Sequence, residues 1–566
     1  MFPETIAMTE TCLNNPDIVS WLKRCKSLSR VIKAGRTSPW PAPLTPDLPE
    51  KPVTDALVHL YLRTFETVYR VLHVPTFQQA YDRVWTSGGA EADETFLVQL
   101  KLVLAIGSVM YDDTFSLRKL AIRWICEAQT WHAKPVTKSR LNIPSLQTSL
   151  LLIIAREIVG VGGDSTWISA GALFRIAIYM GLHRDPEHMP RMSLYVAEMR
   201  RRLWNTILEL MLQSSMSLGA PPLLSLDDFD TQPPGNFDDI QISPTDGIDR
   251  QPLPRPDHEF TQMSTAIALR RTLPARLAVA KYLNQLGSQT SYPETLRLDK
   301  ELKAAYRDLC RTLKSPDTLL FTAPSAFTLR LVDYTLHRYM ISLHVPFFGL
   351  GLSDAAFAYS RKTAVDLALN IWPAAHPSTA IAAERSQQQD RTDDGAVRQA
   401  QDDLARLIAC GVGIFRSTAH IAALVAMAEL RATLQEEPGL LGHASNVSSR
   451  DVLSVAEEDG PWTLRCMRAG EVNVKAALLQ GMLMAHVSSL MRGEGRDELP
   501  RVLLEAAEGV KERCLPILEA AAAEGGTTTT TEVSDEFEAD ASGVTWNDTQ
   551  NWMLVSFFYF YSSGRC

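Results

Sequence analysis

The chain has few cysteines, and they are far apart in the sequence. Its 566 residues contain eight. They are Cys12, Cys25, Cys126, Cys310, Cys410, Cys466, Cys514 and Cys566. Structural zinc sites need closely spaced ligands such as a C-x-x-C pair, and no such pair occurs. We therefore expect neither a zinc cluster nor a Cys2His2 finger within this sequence, and we interpret the thiols as reduced and buried.

Long apolar runs and targeting segments are also missing. The longest apolar runs, Leu150 to Ala155 and Met553 to Tyr561, fall short of the roughly 18 residues of a membrane-spanning helix. Met1 to Ser20 contains proline and acids but no apolar core, so it is not typical of a secretory signal. The net charge of −9 argues against a protein that coats nucleic acid. We expect a soluble, intracellular protein that does not enter a membrane.

Catalytic motifs are missing as well. The sequence has no H-E-x-x-H and no G-x-S-x-G. Asp227 to Asp230 reads D-D-x-D, whereas all-helical terpene synthases bind Mg²⁺ through D-D-x-x-D on a helix. Gly160 to Gly163 precedes a helix but has neither the G-x-G-x-x-G spacing nor a P-loop lysine. We therefore predict no catalytic residue, cofactor site or metal site, and we expect that the protein is not an enzyme.

Helical periodicity with clear start and stop signals is present instead. The first predicted helix begins at the N-cap candidates Ser165 and Thr166 and ends before Gly181. The second spans roughly Val196 to Leu218 and stops at Gly219. Both have an apolar stripe at helical spacing, so we expect the two helices to pack together in an all-α fold.

This part of the chain resembles the regulatory region of the fungal-specific transcription factors. The first element is carried by Gly163, Trp167, Gly171, Arg175, Ala177, Gly181, Leu182, His183, Arg184 and Asp185. The second is carried by Glu198, Arg200, Arg201, Arg202, Leu203 and Trp204. The third is carried by Gly219, Pro221, Asp228, Asp230, Pro234 and Asn236. Tyr61 to Tyr81 and His337 to Leu350 add L-H-x-P elements, so the resemblance covers about residues 50–375 in order.

The resemblance implies a multi-helix regulatory domain and a nuclear transcription regulator. The expected role is control of a metabolic or secondary-metabolite gene cluster. A partner protein, a second copy of the chain or a missing DNA-binding exon would then supply the DNA contact. A helical enzyme or accessory protein of a biosynthetic pathway is the alternative. The apolar face around Trp167, Phe174, Trp204, Ile207 and Met211 could line a pocket for a small-molecule effector, but core packing is favoured.

A basic segment lies near the N-terminus, from Trp21 to Arg36. Its cations are Lys23, Arg24, Lys26, Arg30, Lys33 and Arg36. The favoured interpretation is an amphipathic helix that docks Leu22, Leu28, Val31 and Ile32 and leaves its basic face in solvent. Nuclear import and contact with phosphate groups are the two alternatives.

The run Arg200 to Arg202 fans around a helix, so its members cannot share one partner. We expect these arginines to pair within the chain, with Glu198, Glu209 and the acidic loop Asp227 to Asp230. His73 and His344 each precede a proline by two positions, and we interpret both as residues that form turns.

Composition divides the chain into five predicted segments. They are a basic arm and Pro-rich linker (1–50), the regulatory domain (51–375), a flexible linker (376–403), a C-terminal helical region (404–523) and an acidic low-complexity segment with an aromatic tail (524–566). The last segment is predicted to be disordered in its acidic part. Its aromatic residues are typical of an activation segment or of a terminal helix docked on the domain, and docking is favoured.

Overall fold

A computed structural model describes residues 15–86, 93–134, 141–162, 165–249, 252–285, 291–313, 324–377, 403–436 and 447–525. These described residues form α-helices, short 3-10 turns and loops, with no β-strand. The all-α prediction is therefore confirmed. The predicted acidic and aromatic segment from 526 onward, residues 378–402 of the predicted linker, and Gly163 lie outside the described residues.

The described α-helices are α1 to α19 in chain order. The first nine are α1 (Pro16–Arg36), α2 (Lys51–Arg63), α3 (Glu66–Tyr69), α4 (Val74–Thr86), α5 (Glu94–Ser108), α6 (Arg118–His132), α7 (Ile143–Val159), α8 (Thr166–Tyr179) and α9 (Leu194–Leu218). The next five are α10 (Ser264–Arg271), α11 (Leu273–Leu283), α12 (Tyr292–Leu313), α13 (Ala326–Gly351) and α14 (Ala358–Ala375). The last five are α15 (Asp403–Cys410), α16 (Ile414–Glu436), α17 (Val447–Arg468), α18 (Val474–Met491) and α19 (Leu499–Gly525).

The chain folds into two compact units, each assembled from separate stretches of sequence. Of the described residues, those within 38–343 and 391–415 form the central unit, and those within 1–37, 344–390 and 416–566 form the terminal unit. The five segments predicted from composition remain a prediction, because they were drawn along the chain and not from contacts in space.

Helix α5 lies at the centre of the central unit, where it packs against α2, α6 and α7. Every residue from Val98 to Ser108 is buried, including Lys101, whose ammonium group pairs with Glu127 of α6. Gly107 allows α2 to approach closely, because a Cβ at this position would overlap the carbonyl oxygen of Leu57. Helix α5 can thus be buried on all sides because the charge of Lys101 is paired and Gly107 has no side chain.

Helices α8 and α9 form where the sequence predicts them. Gly181 follows α8 with φ +77°, and the amide of Leu182 donates to the carbonyl of Ala177 at 2.9 Å, as in a Schellman motif. The rings of Phe174 and Trp204 stack with centroids 5.3 Å apart, so the two helices pack through their apolar faces. The predicted packing of this pair is confirmed.

The N-terminal helix α1 belongs to the core of the terminal unit. Ile18, Trp21, Cys25 and Ile32 are buried against α18 and α19. Burial raises the pKa of the Cys25 thiol to about 11. Of the residues expected to dock, Ile32 is buried, Leu22 and Leu28 are partly buried, and Val31 remains 46% exposed.

The predicted C-terminal helical region (404–523) is divided into several helices. Gly413 has φ +71° and separates α15 from α16. By length and composition, one helix in the described part of the chain could cross a membrane: α18, with a mean hydropathy of 1.2, although polar residues interrupt its apolar sequence. Leu478 and Met482 of this helix are buried in the core of the terminal unit, and core helices pass the same test.

We predict that Gly107→Ala destabilises the protein because the new methyl group meets backbone atoms that cannot rotate away. The expected loss in the free energy of unfolding is about 1–3 kcal/mol, measured by urea denaturation. Gly171→Ala is the matched control, since its Cβ would make only ordinary contact with Arg175 at 3.6 Å. That control should stabilise the protein by about 0.5–1 kcal/mol through helix propensity, and equal effects of the two substitutions would contradict the packing of α2 on α5.

Candidate functional site

The arginine run on α9 leads into a buried network of charges in the central unit. Arg202 is fully buried and donates from Nη1 to Oδ1 of Asp239 at 2.6 Å. Arg70, in the turn after α3, donates from Nη2 to the same oxygen at 2.5 Å. The amide of Val74 donates to the other carboxylate oxygen at 2.9 Å. One loop carboxylate therefore binds two guanidinium groups and the first turn of α4.

The surroundings of this carboxylate control its charge. Burial would raise the pKa of Asp239, but Arg70 and Arg202 hold it well below its usual range. Glu66 shows the opposite balance: burial raises its pKa to about 7, although Arg70 lies 3.9 Å away and Tyr61 donates a hydrogen bond at 2.7 Å. The network therefore holds a firmly ionised Asp239 beside a carboxyl group that titrates near neutrality.

His73 fixes the backbone on the other side of the clamp. Its Nε2 lies 2.9 Å from the carbonyl oxygen of Asp239 and 3.1 Å from that of Ile242, so this nitrogen carries the proton. Its Nδ1 can then accept from the Thr76 hydroxyl at 2.6 Å. The turn predicted at His73 is present. His344 instead lies inside α13, fully buried, with Nδ1 2.9 Å from Ser360 Oγ, so the turn predicted there is wrong.

Arg201, in the second family element, binds Asp185 of the first element directly. Its Nε and Nη2 donate to Oδ2 and Oδ1 of Asp185 at 3.0 and 2.6 Å, a bidentate pair, and its Nη1 donates to Glu198 at 2.9 Å. The same two carboxylates accept from the loop after α9, through the amides of Gln232 at 2.9 Å and Gly235 at 2.8 Å. These five bonds hold the loop against α9.

The expected partners of the arginine run are only partly right. Glu198 pairs with Arg201 as expected, but Glu209 forms a bidentate pair with Arg276, at 2.7 and 2.5 Å. The loop Asp227 to Asp230 does not pair with the run. Asp230 accepts from the amide of Asp185 at 2.7 Å, and Asp227 and Asp228 lie in an exposed 3-10 turn that Ser225 caps. The partner lies further along the loop, at Asp239.

The remaining motif residues also contribute to local structure. Trp167 Nε1 donates to the carbonyl of Pro221 at 3.2 Å, and Asn236 Nδ2 donates to the carbonyls of Pro256 and Glu259, each at 2.9 Å. Arg200 donates to the carbonyl of Met180 at 3.0 Å, near the C-terminus of α8. Trp167 thus ties the loop between α9 and α10 to α8, Asn236 joins two parts of that loop, and Arg200 joins α9 to the residue after α8.

Motif residues at the ends of the helices are arranged around the same loop. The carbonyl of His183 accepts from the amide of Asp230 at 3.0 Å, and Gly219 ends α9 with φ +69°. Arg184 is exposed, and Arg175 is exposed and donates to the carbonyl of Gly171 at 3.3 Å. Arg175 and Arg184 are thus the motif cations left facing solvent.

The six cations of the N-terminal segment separate into two groups. Arg24 forms an ion pair with Glu519, and Arg36 donates to the carbonyl of Gly470 at 2.9 Å. The other four are exposed on α1: Lys23, Lys26, Arg30 and Lys33. Five of the six predicted cations are therefore exposed, including Arg24, and Lys26 and Lys33 also take part in interactions.

The terminal unit also contains a shallow cavity of about 220 Å³ between α14, α16 and α17. Its main cation, Arg361, is already engaged, because Nε pairs with Glu429 at 2.8 Å and Nη1 with Glu436 at 2.9 Å. Within the described ranges, no three His, Cys, Asp or Glu side chains are arranged to hold a metal ion. The charged side chains Arg361, Glu429 and Glu436 therefore pair with one another.

Comparison with known families places this network in a defined context. The fungal specific transcription factor domain matches residues 58–300. Arg70, Asp185, Arg201, Arg202 and Asp239 all lie inside this range. Residues 58–300 are a fungal specific transcription factor domain. The resemblance inferred from the sequence motifs is confirmed, and the motif residues of this domain are those that hold its loop in place.

Several curated proteins are similar to the chain. Transcription factor lepE of Aspergillus flavus is 32% identical over 526 residues, which is 89% of this chain and 60% of that protein. Transcription factor opdR of Penicillium oxalicum is 39% identical over 363 residues, 62% of this chain and 45% of that protein. The Aspyridones cluster regulator apdR of Emericella nidulans is 33% identical over 293 residues, 50% of this chain and 38% of that protein.

The chain thus spans less than two thirds of the length of these relatives. No solved structure matches it.

We predict that Asp239→Asn costs about 3–5 kcal/mol in the free energy of unfolding, because it removes the one carboxylate that accepts from both buried guanidinium groups. Arg202→Met should cost less, since Arg70 still neutralises Asp239. Arg297→Met is the exposed control; its pairs with Glu294 and Glu301 lie at the surface, and the expected loss is below about 1 kcal/mol. Urea denaturation measures all three, and an Asp239→Asn variant as stable as the control would refute the clamp.

The clamp also predicts a pH dependence. The folded-state pKa of Asp239 is depressed, so its contribution to stability is complete above its unfolded value, about 4, and is lost as the pH falls further. The free energy of unfolding of the parent should therefore fall between pH 5 and pH 3 more steeply than that of Asp239→Asn. Parallel curves would show that Asp239 does not carry this charge.

Proposed function

We propose that the protein is a nuclear transcription regulator that controls a metabolic or secondary-metabolite biosynthetic gene cluster. The fungal specific transcription factor domain over residues 58–300 is the observation that carries the proposal. Relatives aligned with most of the chain are named transcription factors, and another is named a cluster regulator. The names of these relatives and the domain match in this chain support a role in transcription.

The contacts of the motif residues favour regulation over catalysis. Ion pairs join Arg201 to Asp185 and Arg202 to Asp239, and the amide of Gln232 donates to Asp185. These side chains therefore hold the fold and are not available to a substrate. Asp227 and Asp228, the one carboxylate pair considered for metal chemistry, lie in a solvent-exposed turn. The alternative of a helical enzyme therefore has no residue set among the described positions that we can assign to it.

The regulator would act through further protein surfaces. We propose that a partner protein, a second copy of the chain or a DNA-binding segment outside this sequence provides the sequence-specific contact with DNA. A small-molecule effector is a further option, but the apolar face that could line its pocket is packed in the core. Trp204, Ile207 and Met211 are each at most 2% exposed. An effector would have to bind elsewhere or displace this core.

The test is a comparison of transcripts between a deletion strain and its parent, under conditions where the gene is expressed. We expect a coherent set of genes, adjacent in the genome, to change together, and complementation with the intact gene to restore them. The matched control is complementation with Arg297→Met, which should restore them equally. Unchanged transcripts together with the loss of a metabolite would overturn the proposal and favour the enzyme alternative.

A further inference from the structure

The four exposed cations of α1 lie in one line. Successive helical residues are about 100° apart and rise 1.5 Å each, so Lys23, Lys26, Arg30 and Lys33 fall within an arc of about 80° and cover about 15 Å. All four are exposed. We call this line the basic stripe. The sequence alone grouped six cations here; the helical geometry separates these four from Arg24 and Arg36, which project about 140° and about 100° from the centre of the stripe.

The opposite face of α1 is fixed to the terminal unit. Trp21, Cys25 and Ile32 are at most 3% exposed, and the hydroxyl of Ser29 donates to the carbonyl of Val472 at 2.8 Å. Arg36 adds its bond to Gly470 near the end of the helix. The basic stripe is thus presented by a docked helix, and its apolar side is not free to enter a lipid surface.

The anchoring also bears on nuclear import. A peptide signal that is bound in an extended form would require Trp21, Cys25 and Ile32 to leave the core first. A surface that binds while folded needs no such release. The structure therefore favours recognition of the basic stripe as a rigid, charged face.

Negative charge on α1 is kept away from the basic stripe. Asp17 is the one acid of the helix, and it projects about 160° from the centre of the stripe. Glu519 of α19 is paired with Arg24. Lys26 and Lys33 take part in further interactions but stay exposed, and each ammonium group has three donors. The four cations can therefore act together on one anionic partner.

We infer that the basic stripe binds the phosphate backbone of duplex DNA without reading its sequence. The inference rests on the proposed role in transcription, which makes DNA the polyanion that the protein would meet. Lysine and arginine contacts to phosphates supply non-specific affinity and position a protein on the duplex. The net charge of −9 does not oppose this locally, because charges more than about 10 Å away are screened at 0.1 M salt.

The experiment measures binding of the full chain to a fluorescein-labelled duplex of arbitrary sequence by anisotropy, between 50 and 200 mM salt. Each phosphate contact adds about −0.9 to the slope of log K against log salt. Four contacts therefore add about −3.6, an affinity loss of about 150-fold across this range. The variant K23Q/K26Q/R30Q/K33Q should lose this part of the slope, and each single substitution should lose about 0.9.

The matched control is K119Q/K281Q/K300Q/R307Q, which removes the same charge from exposed positions of the central unit. It should leave the slope unchanged. Urea denaturation of both variants confirms folding, which is expected because all eight side chains are exposed. A stripe variant with the parent's slope, or a control that loses as much slope as the stripe variant, would overturn the inference.

A second measurement separates DNA contact from nuclear import. Fluorescent fusions of the parent and of the stripe variant are followed in cells. An unchanged DNA slope together with loss of nuclear accumulation would show an import signal and overturn the inference. The proposed function is tested independently, since transcripts can change in the deletion strain whether or not the stripe contributes to the slope, and the reverse also holds.

Discussion

The central unit depends on one carboxylate that neutralises two buried arginines. Asp239 accepts from Arg70 after α3, from Arg202 on α9 and from the amide of Val74 at the start of α4. Arg70 and Asp239, which are 169 residues apart in the sequence, thus meet Arg202 at one ion. Two guanidinium groups would repel each other here without it, so the packing of α9 against the turn after α3 depends on the loop that carries Asp239.

The second arginine of the run extends this arrangement. Arg201 binds Asp185 and Glu198, and the spare capacity of these carboxylates binds amides of the same loop. The loop between α9 and α10 is therefore held by side chains, since it forms almost no regular structure of its own. This explains why an acidic, proline-rich stretch follows an arginine-rich helix: each supplies what the other needs in order to be buried.

Local patterns in the sequence predicted much of the helical structure and little of the pairing. The ends of α8 and α9 follow from Gly181 and Gly219, because a left-handed residue and the caps around it are local features. The family motif followed from spacing for the same reason. The partner of Arg202 did not, because Asp227 to Asp230 and Asp239 look equally acidic in the sequence. Which of them reaches α9 depends on how the intervening prolines direct the chain.

Long-range assembly was the other feature that the sequence did not reveal. Gly413 separates α15 from α16 within the predicted C-terminal helical region. His344 lies in α13, although its L-H-x-P motif matches that of His73. Arg70 and Glu66 gave no signal at all, since a lone charged residue in a helical segment is normally solvated. Burial of such residues becomes visible only when the countercharges from other segments are known.

The docking of α1 on α18 and α19 has a consequence for synthesis. The apolar side of α1 leaves the ribosome early, but its partners Leu503 and Leu518 are made more than four hundred residues later. At typical rates of 5–20 residues per second, the helix waits roughly 25–100 s for them. During that interval Trp21 and Ile32 are uncovered on a nascent chain, and a chaperone or transient helix loss must protect them. Helix α1 is therefore made long before the helices that cover it.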